Sequence, residues 1–474
     1  MKEKIDFKKI TSFLLAVLIF ISAFFLLSFF DKSDEVRATV TKQNSEVDEE
    51  LLTADDLFDF ELGQDGYYVT NYKGNQKHLD IPQYYNGEKV VGIKDVQPTD
   101  TKGVFEGMDF YSVNMGENCV KIGKRAFYDC ENIEKVYFSK QTTYIGRNAF
   151  YNCISLYDLD IPSTVTYVGF LAFYNTGWYL NALEDLNKNA KLDETVCLYY
   201  DDILLDVLYV LDGAIDNIKD GTRVIAEWAF GRISSKKFTV TKIVIPSTVK
   251  YINGYNLGVD GYNSQTNVKT LIFNGNSNEI TFGERSFYEN GSDLGVSSST
   301  GDVKFGFKKG IHFVGEQVTY YSSEMPENVV LDDSFKVIAE GAFKNCSKLV
   351  SIVIPEGVKY IGKNAFINCV NLKTVIYRGT GLIIDENAFK NCEKLENFEG
   401  IENVKEINAD GFENCNNLQS VTLNNCSVGV EAFKNCSLVI VSIIGNCTFK
   451  RDVFYGCDNV KESIDDYYFG FKPN

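Results

Sequence analysis

Leu349–Cys369 reads LVSIVIPEGVKYIGKNAFINC, and Val370–Cys392 directly after it reads VNLKTVIYRGTGLIIDENAFKNC. The first stretch opens with Ile352 and Ile354 at alternating positions, the period of a half-buried strand. Pro355 then stops the strand, because a proline has no N–H to give to a ladder. The step Val358-x-x-Ile361-Gly362 leads on to Ala365-Phe366. There the glycine is expected to take a positive-φ turn and the aromatic ring to plug the interior of a coil. One repeat is therefore read as one turn of a coil.

The same marks recur far outside this stretch. Phe343, Phe366, Phe389 and Phe412 follow one another at 23-residue steps, and Cys346, Cys369, Cys392 and Cys415 stand three residues behind them. Phe127, Phe150 and Phe173 repeat the 23-residue step earlier, with Cys130 and Cys153 in the same relation, and Phe433 and Phe454 continue it at 21. A single coil cannot bury its own apolar side, so neighbours must stack, strand beside strand at about 4.8 Å. Equivalent residues then form ladders along the axis. The expected fold is a right-handed, β-rich solenoid over 57–474 with little helix after Phe30. A chain of 474 residues with 45% hydrophobic content has core enough without a disulfide framework. Cys130, Cys153, Cys346, Cys369, Cys392 and Cys415 are accordingly expected as buried, unpaired thiols.

Strand alternation also nominates a binding face. If Val136, Leu159, Ile243, Ile352 and Val375 point inward, then Tyr137, Asp160, Val244, Val353 and Ile376 must point outward. Parallel stacking is expected to align these five into one stripe. Four of them are aromatic or β-branched, which on an open face reflects either strand propensity or an apolar contact patch.

The period breaks in the middle, where Phe173, Phe230, Phe287 and Phe343 are separated by 57, 57 and 56 residues. Insertions are expected at about 178–222 and 288–335. LYYDDILLDVLYVLDG from Leu198 and VKFGFKKGIHFVGEQVTYY from Val303 both read as β-hairpins. Asp185, Asn187, Asn189 and Asp193 fall at positions 1, 3, 5 and 9 of a calcium loop, but Ala190 and Val196 stand where a glycine and a bidentate glutamate are needed. A plain polar loop is the expectation, with no metal site.

These motifs resemble the BspA-like leucine-rich-repeat family, whose repeat runs approximately L-x-x-I-x-I-P-x-x-V-x-x-I-G-x-x-A-F-x-x-C. The resemblance covers about 57–457. GYYVTNYKGNQKHLDIPQYYNGEKVVGI from Gly66 is similar to the family's opening repeat, and NTGWY from Asn175 to its junction into a longer, hairpin-bearing repeat. The resemblance implies a leucine-rich-repeat solenoid at a cell surface, where such proteins are taken to bind host proteins or other cells.

Ile10–Phe30 carries no charge over 21 residues, enough to cross a hydrocarbon core of about 30 Å. Lys2, Lys4, Lys8 and Lys9 precede it and Asp31, Asp34 and Glu35 follow, which orients the N-terminus inward and the rest of the chain outward. The expected organisation is a cytoplasmic tail over 1–9, a transmembrane signal anchor or signal peptide over 10–30, an acidic linker over 31–56 and the solenoid over 57–474. The run is longer than a signal-peptide core and Val36-Arg37-Ala38 is a poor cleavage site, which favours a single-pass membrane protein over a secreted one.

Composition excludes other classes. A net charge of −18 opposes a polyanionic partner, so no nucleic acid is expected. Only His78 and His312 occur, too few for a histidine-based metal site or proton relay. No phosphate-binding glycine loop, zinc-protease helix or nucleophile elbow is present, so no enzyme and no cofactor are expected. The reading is a surface binding or adhesion protein with an extracellular protein or glycan ligand. A structural envelope protein without a specific ligand, or a carboxylate-based hydrolase, are the alternatives.

Overall fold

The computed structural model describes residues 54–460, apart from 64, 97–101, 190–194, 210–212, 232–239, 257–269, 276–278, 285–294, 297–304, 309–310 and 322–324. The segment 10–30, Phe287 and Asp193 lie outside the described residues, and among the described ones no helix is long and apolar enough to cross a membrane.

Each repeat makes two strands and a turn. Ile352, Ile354, Val358 and Ile361 are wholly buried; Ile352 and Ile354 fall on Ser351–Ile354, Ile361 on the two-residue strand Tyr360–Ile361, and Val358 in the turn between them. The longer strands stack in parallel: Asn328–Val330, Ser351–Ile354, Thr374–Tyr377 and Asn397–Glu399 form one four-stranded sheet with equivalent residues opposite one another. The short strands stack on a second side of the coil, in a nine-stranded sheet that runs from Phe305–Lys308 to Thr448–Phe449. The Ala-Phe turns form the third side, and there too the backbone pairs between coils: Phe343 N–H donates to Ala365 O and Phe366 N–H to Ala388 O, both at 2.7 Å. The result is a β-solenoid of about 13 turns.

The phenylalanine ladder is continuous within each array. Phe343, Phe366, Phe389 and Phe412 stack with centroids 4.9, 4.8 and 5.1 Å apart and planes within 6° of parallel. Phe105, Phe127, Phe150 and Phe173 repeat this near the N-terminus. Burying each such ring contributes roughly 1.5–3 kcal/mol, with more from ring stacking. The thiols lie beside the rings as expected: all six nominated cysteines are free and buried. Their conformation has a further cause. Cys369, Cys392 and Cys415 donate S–H to the carbonyls of Phe343, Phe366 and Phe389 at 3.1, 3.2 and 3.2 Å. A small apolar side chain with one weak donor thus serves an inner carbonyl of the preceding coil.

One expectation about the turn is corrected. Gly362, Gly146 and Gly429 have no positive φ. A Cβ at Gly362 would sit 2.7 Å from Glu340 N, so glycine is required by the approach of the preceding coil's backbone. Left-handed residues lie elsewhere in the turn and include asparagines: Asn345, Asn368, Asn391 and Asn414, each just before the ladder cysteine, have φ of 60–62°. Asparagine tolerates this region better than other side chains. Their amides also form a ladder, Asn368 to Asn345 at 2.9 Å, Asn391 to Asn368 at 2.8 Å and Asn414 to Asn391 at 2.7 Å.

The antiparallel hairpin Phe58–Leu62 with Tyr67–Tyr72 closes the N-terminal edge of its sheet, where unpaired strand groups would otherwise be exposed. The folded unit reaches into the expected linker, since Ala54–Leu57 is helical and Lys73 Nζ donates to Asp55 O at 3.3 Å. Arg451, in the last described coil, donates to Leu62 O and, at 3.5 Å, to Gly63 O of that opening hairpin.

The insertions carry hairpins as read: Val196–Tyr200 pairs antiparallel with Ile203–Tyr209, and Phe305–Lys308, Ile311–Val314 and Gln317–Tyr321 form a meander. The first insertion also contains a 13-residue helix, Gly177–Asn189, that the polar-loop reading does not include. Thr176 Oγ1 caps it by accepting from Tyr179 N at 3.1 Å. Asp185, Asn187 and Asn189 are turns of this helix, so they cannot wrap a cation as a calcium loop would.

Candidate binding faces

The alternation along the longer strands has the expected sense. Val136, Leu159, Ile243, Ile352 and Val375 are buried, while Tyr137 and Asp160 are exposed and Val244, Val353 and Ile376 are half-buried on the opposite side. The five do not form one stripe. Tyr137 lies on Lys135–Tyr137 in a three-stranded sheet, and Asp160 one coil on, beyond the bridge from Lys135 to Asp158. Val244 lies on Val240–Ile245, opposite Ile272 in a separate sheet. Val353 and Ile376 are register partners, and the Lys135–Asp158 bridge sets Tyr137 and Asp160 at one offset on neighbouring coils, while Val244 belongs with neither pair. The cause is the long middle repeats, which interrupt strand pairing between arrays.

Two outward faces result, with different chemistry. On the N-terminal one Asp80, Asn114 and Tyr137 stand opposite one another in register. Tyr111 and Tyr157 are also exposed. Lys135 Nζ lies 5.1 Å from the centroid of Tyr137, and Lys77 Nζ 5.6 Å from that of Tyr111. His78 is a surface residue here, its Nδ1 2.8 Å from Ser112 Oγ. On the C-terminal face Val330, Val353 and Ile376 run in register and end at Glu399. Val330 is 71% exposed and was not among the nominated residues, although it stands 23 positions before Val353. Its segment lacks the Ile-Pro mark, and the repeat register alone points to it.

The short-strand side is ionic. Lys121 pairs with Asp95 at 2.5 Å, and Tyr144 and Tyr167 stack at 4.4 Å. Burial, with the negative charges of Glu284 and Asp385 adding to it and Lys363 and Lys344 opposing it, pushes the Glu340 carboxyl up to about 7. Burial likewise pushes the Cys119 and Cys130 thiols up to about 12, which keeps them protonated and unreactive. A cleft of about 270 Å³ opens where the helix insertion meets the first array, lined by Phe170, Tyr174, Asp206 and Trp228 among others. It falls short of the roughly 300–1,000 Å³ of small-molecule sites. Among the described residues no group of three or more histidines, cysteines or carboxylates is arranged to hold a metal ion.

A sequence profile described as BspA type leucine-rich repeat region matches residues 101–196 and 336–461, in 6 copies. The unmatched span between them is where the 23-residue period fails. No curated protein matches the chain significantly. Among solved structures, a leucine-rich repeat protein from Bacteroides ovatus is 18% identical and covers 88% of this chain and 96% of its own, with a TM-score of 0.31. A leucine rich cell surface protein from Faecalibacterium prausnitzii is 19% identical, covering 86% and 93%, with a TM-score of 0.29. Scores this low add nothing to the strand registers described above.

Proposed function

We propose that this chain, which belongs to the BspA-like leucine-rich-repeat family, is a recognition scaffold that binds an extracellular protein or glycan through the outward faces of its longer strands. The observation that carries the reading is the C-terminal row Val330, Val353 and Ile376. These aliphatic side chains stand in register on a rigid sheet, bordered by the polar row Asn328, Ser351, Thr374 and Asn397. An apolar strip with a polar rim is the make-up of a protein contact surface. The uncharged run 10–30 and the lysines before it support display outside the cell, on a single-pass anchor.

The unit 52–474 should retain a protein or glycan from a surface-ligand array. Replacing Val353 and Ile376 together by Lys should weaken that binding about tenfold or more, which corresponds to ~1.4 kcal/mol, and leave the melting temperature nearly unchanged. Unaltered affinity in the double variant would move the site to the insertions at 178–222 and 288–335. An array on which nothing is retained would favour a structural envelope role.

A further inference from the structure

Four cysteines do not belong to the ladder, Cys119, Cys197, Cys426 and Cys447, and the last two of these are paired in space. Cys426 and Cys447 stand before the strands Ser427–Val428 and Thr448–Phe449, whose residues Ser427 and Thr448 are opposite one another in parallel register. Thr448 N–H donates to Cys426 O at 3.0 Å, so the two cysteines are direct neighbours on successive coils. Their sulfurs are 3.7 Å apart. Adjacent strands run about 4.8 Å apart, inside the roughly 4.4–6.8 Å between Cα atoms that a disulfide spans.

The ladder thiols of the same two coils are engaged differently: Cys436 and Cys457 donate to Phe412 O at 3.1 Å and Phe433 O at 3.0 Å. Cys447 Sγ has only a 3.8 Å approach to Ile444 O besides its partner sulfur. Both cysteines are buried, and Cys447, at 7% exposure against 3% for Cys426, directly follows the exposed Gly445 and Asn446.

We propose that Cys426 and Cys447 are a redox-active pair that closes to a disulfide between the last two described coils when the chain meets a disulfide oxidant, protein-borne or of low molecular weight. Cys447 reacts first. Its thiol loses a proton, its sulfur attacks the oxidant's S–S bond, and one thiol leaves carrying that proton. Cys426 then attacks the Cys447 sulfur of the mixed disulfide, and the second thiol leaves. One S–S bond forms and one breaks, two cysteines are oxidised, and the oxidant is reduced to two thiols. The bond links residues 21 apart and ties the last described coil to its neighbour. Burial pushes the Cys426 thiol up to about 12, in keeping with the first attack on the oxidant falling to Cys447 rather than to Cys426.

The test treats the full chain with oxidised glutathione, alkylates it under denaturing conditions and maps its peptides without reduction. The expected result is a link between the Cys426 and Cys447 peptides, with the ladder cysteines alkylated as free thiols. Proteolysis within 448–460 should slow about tenfold on oxidation, because local opening of the end coil is restrained. Cys426→Ser should stop at a glutathione adduct on Cys447, and Cys447→Ser should leave Cys426 unmodified. Free Cys426 and Cys447 after treatment of the unaltered chain would overturn the proposal. So would a link from either of them to a ladder cysteine.

Discussion

The C-terminal array over 336–457 and the junction between the first array and the middle repeats solve one problem by different means. In the array each coil is joined to the next by its own backbone and by like residues stacked on like. At the junction the 23-residue register is lost, and buried polar side chains supply the missing partners. Glu227 Oε2 accepts from Arg147 Nε at 2.7 Å and from Phe170 N at 2.9 Å. Asn253 bonds Val168 N through Oδ1 and Thr166 O through Nδ2, reaching across 85 and 87 residues. Tyr200 donates to Leu159 O at 2.6 Å and so joins the hairpin to the first array. Where the repeat is regular, its backbone is self-complementary. Where it is not, specificity moves to individual residues that have no counterpart elsewhere.

The contrast can be broken most severely in the core of the array. Phe389→Ala removes a ring stacked on both sides, on Phe366 at 4.8 Å and Phe412 at 5.1 Å, and should lower stability by about 3–5 kcal/mol in denaturant titration. A loss under ~1 kcal/mol would mean that the ladder is not what holds the coils together.

A smaller and more local effect is expected at the junction. Glu227→Ala leaves Arg147 and Phe170 N without their acceptor. Because Arg147 is partly solvated, the loss should be roughly 2 kcal/mol. Hydrogen exchange should rise at 168–170 and stay unchanged at 343–457. Equal acceleration in both regions would show that the array depends on the junction.

The smallest effect separates backbone from side chain in the asparagine ladder. Asn391→Ala puts a residue less tolerant of a φ of 61° than asparagine in its place and removes two ladder contacts, for about 1–2 kcal/mol, whereas Asn391→Gly relieves the backbone and should cost less. Equal losses in the two variants would assign the whole effect to the amide contacts.

The sequence alone determined the coil, its register and its inward residues, because the apolar alternation and the Phe and Cys spacing recur in consecutive repeats. It also placed both hairpins. The asparagine ladder was equally legible, in the Asn-Cys pair that ends the turns at Cys346, Cys369, Cys392 and Cys415, but a left-handed residue leaves no mark in an apolar pattern. The role of Gly362 was misread because a glycine looks the same whether it serves a turn or a close approach. Tertiary structure alone decided which outward residues share a face. Val353 and Ile376 do, whereas Tyr137 and Val244 lie on other sheets and Asp160 lies outside any strand. Alternation fixes only the side of a strand on which a residue lies. How the middle repeats join the first array depends on Glu227, Asn253 and Tyr200, single residues whose partners are distant in the chain and follow no period.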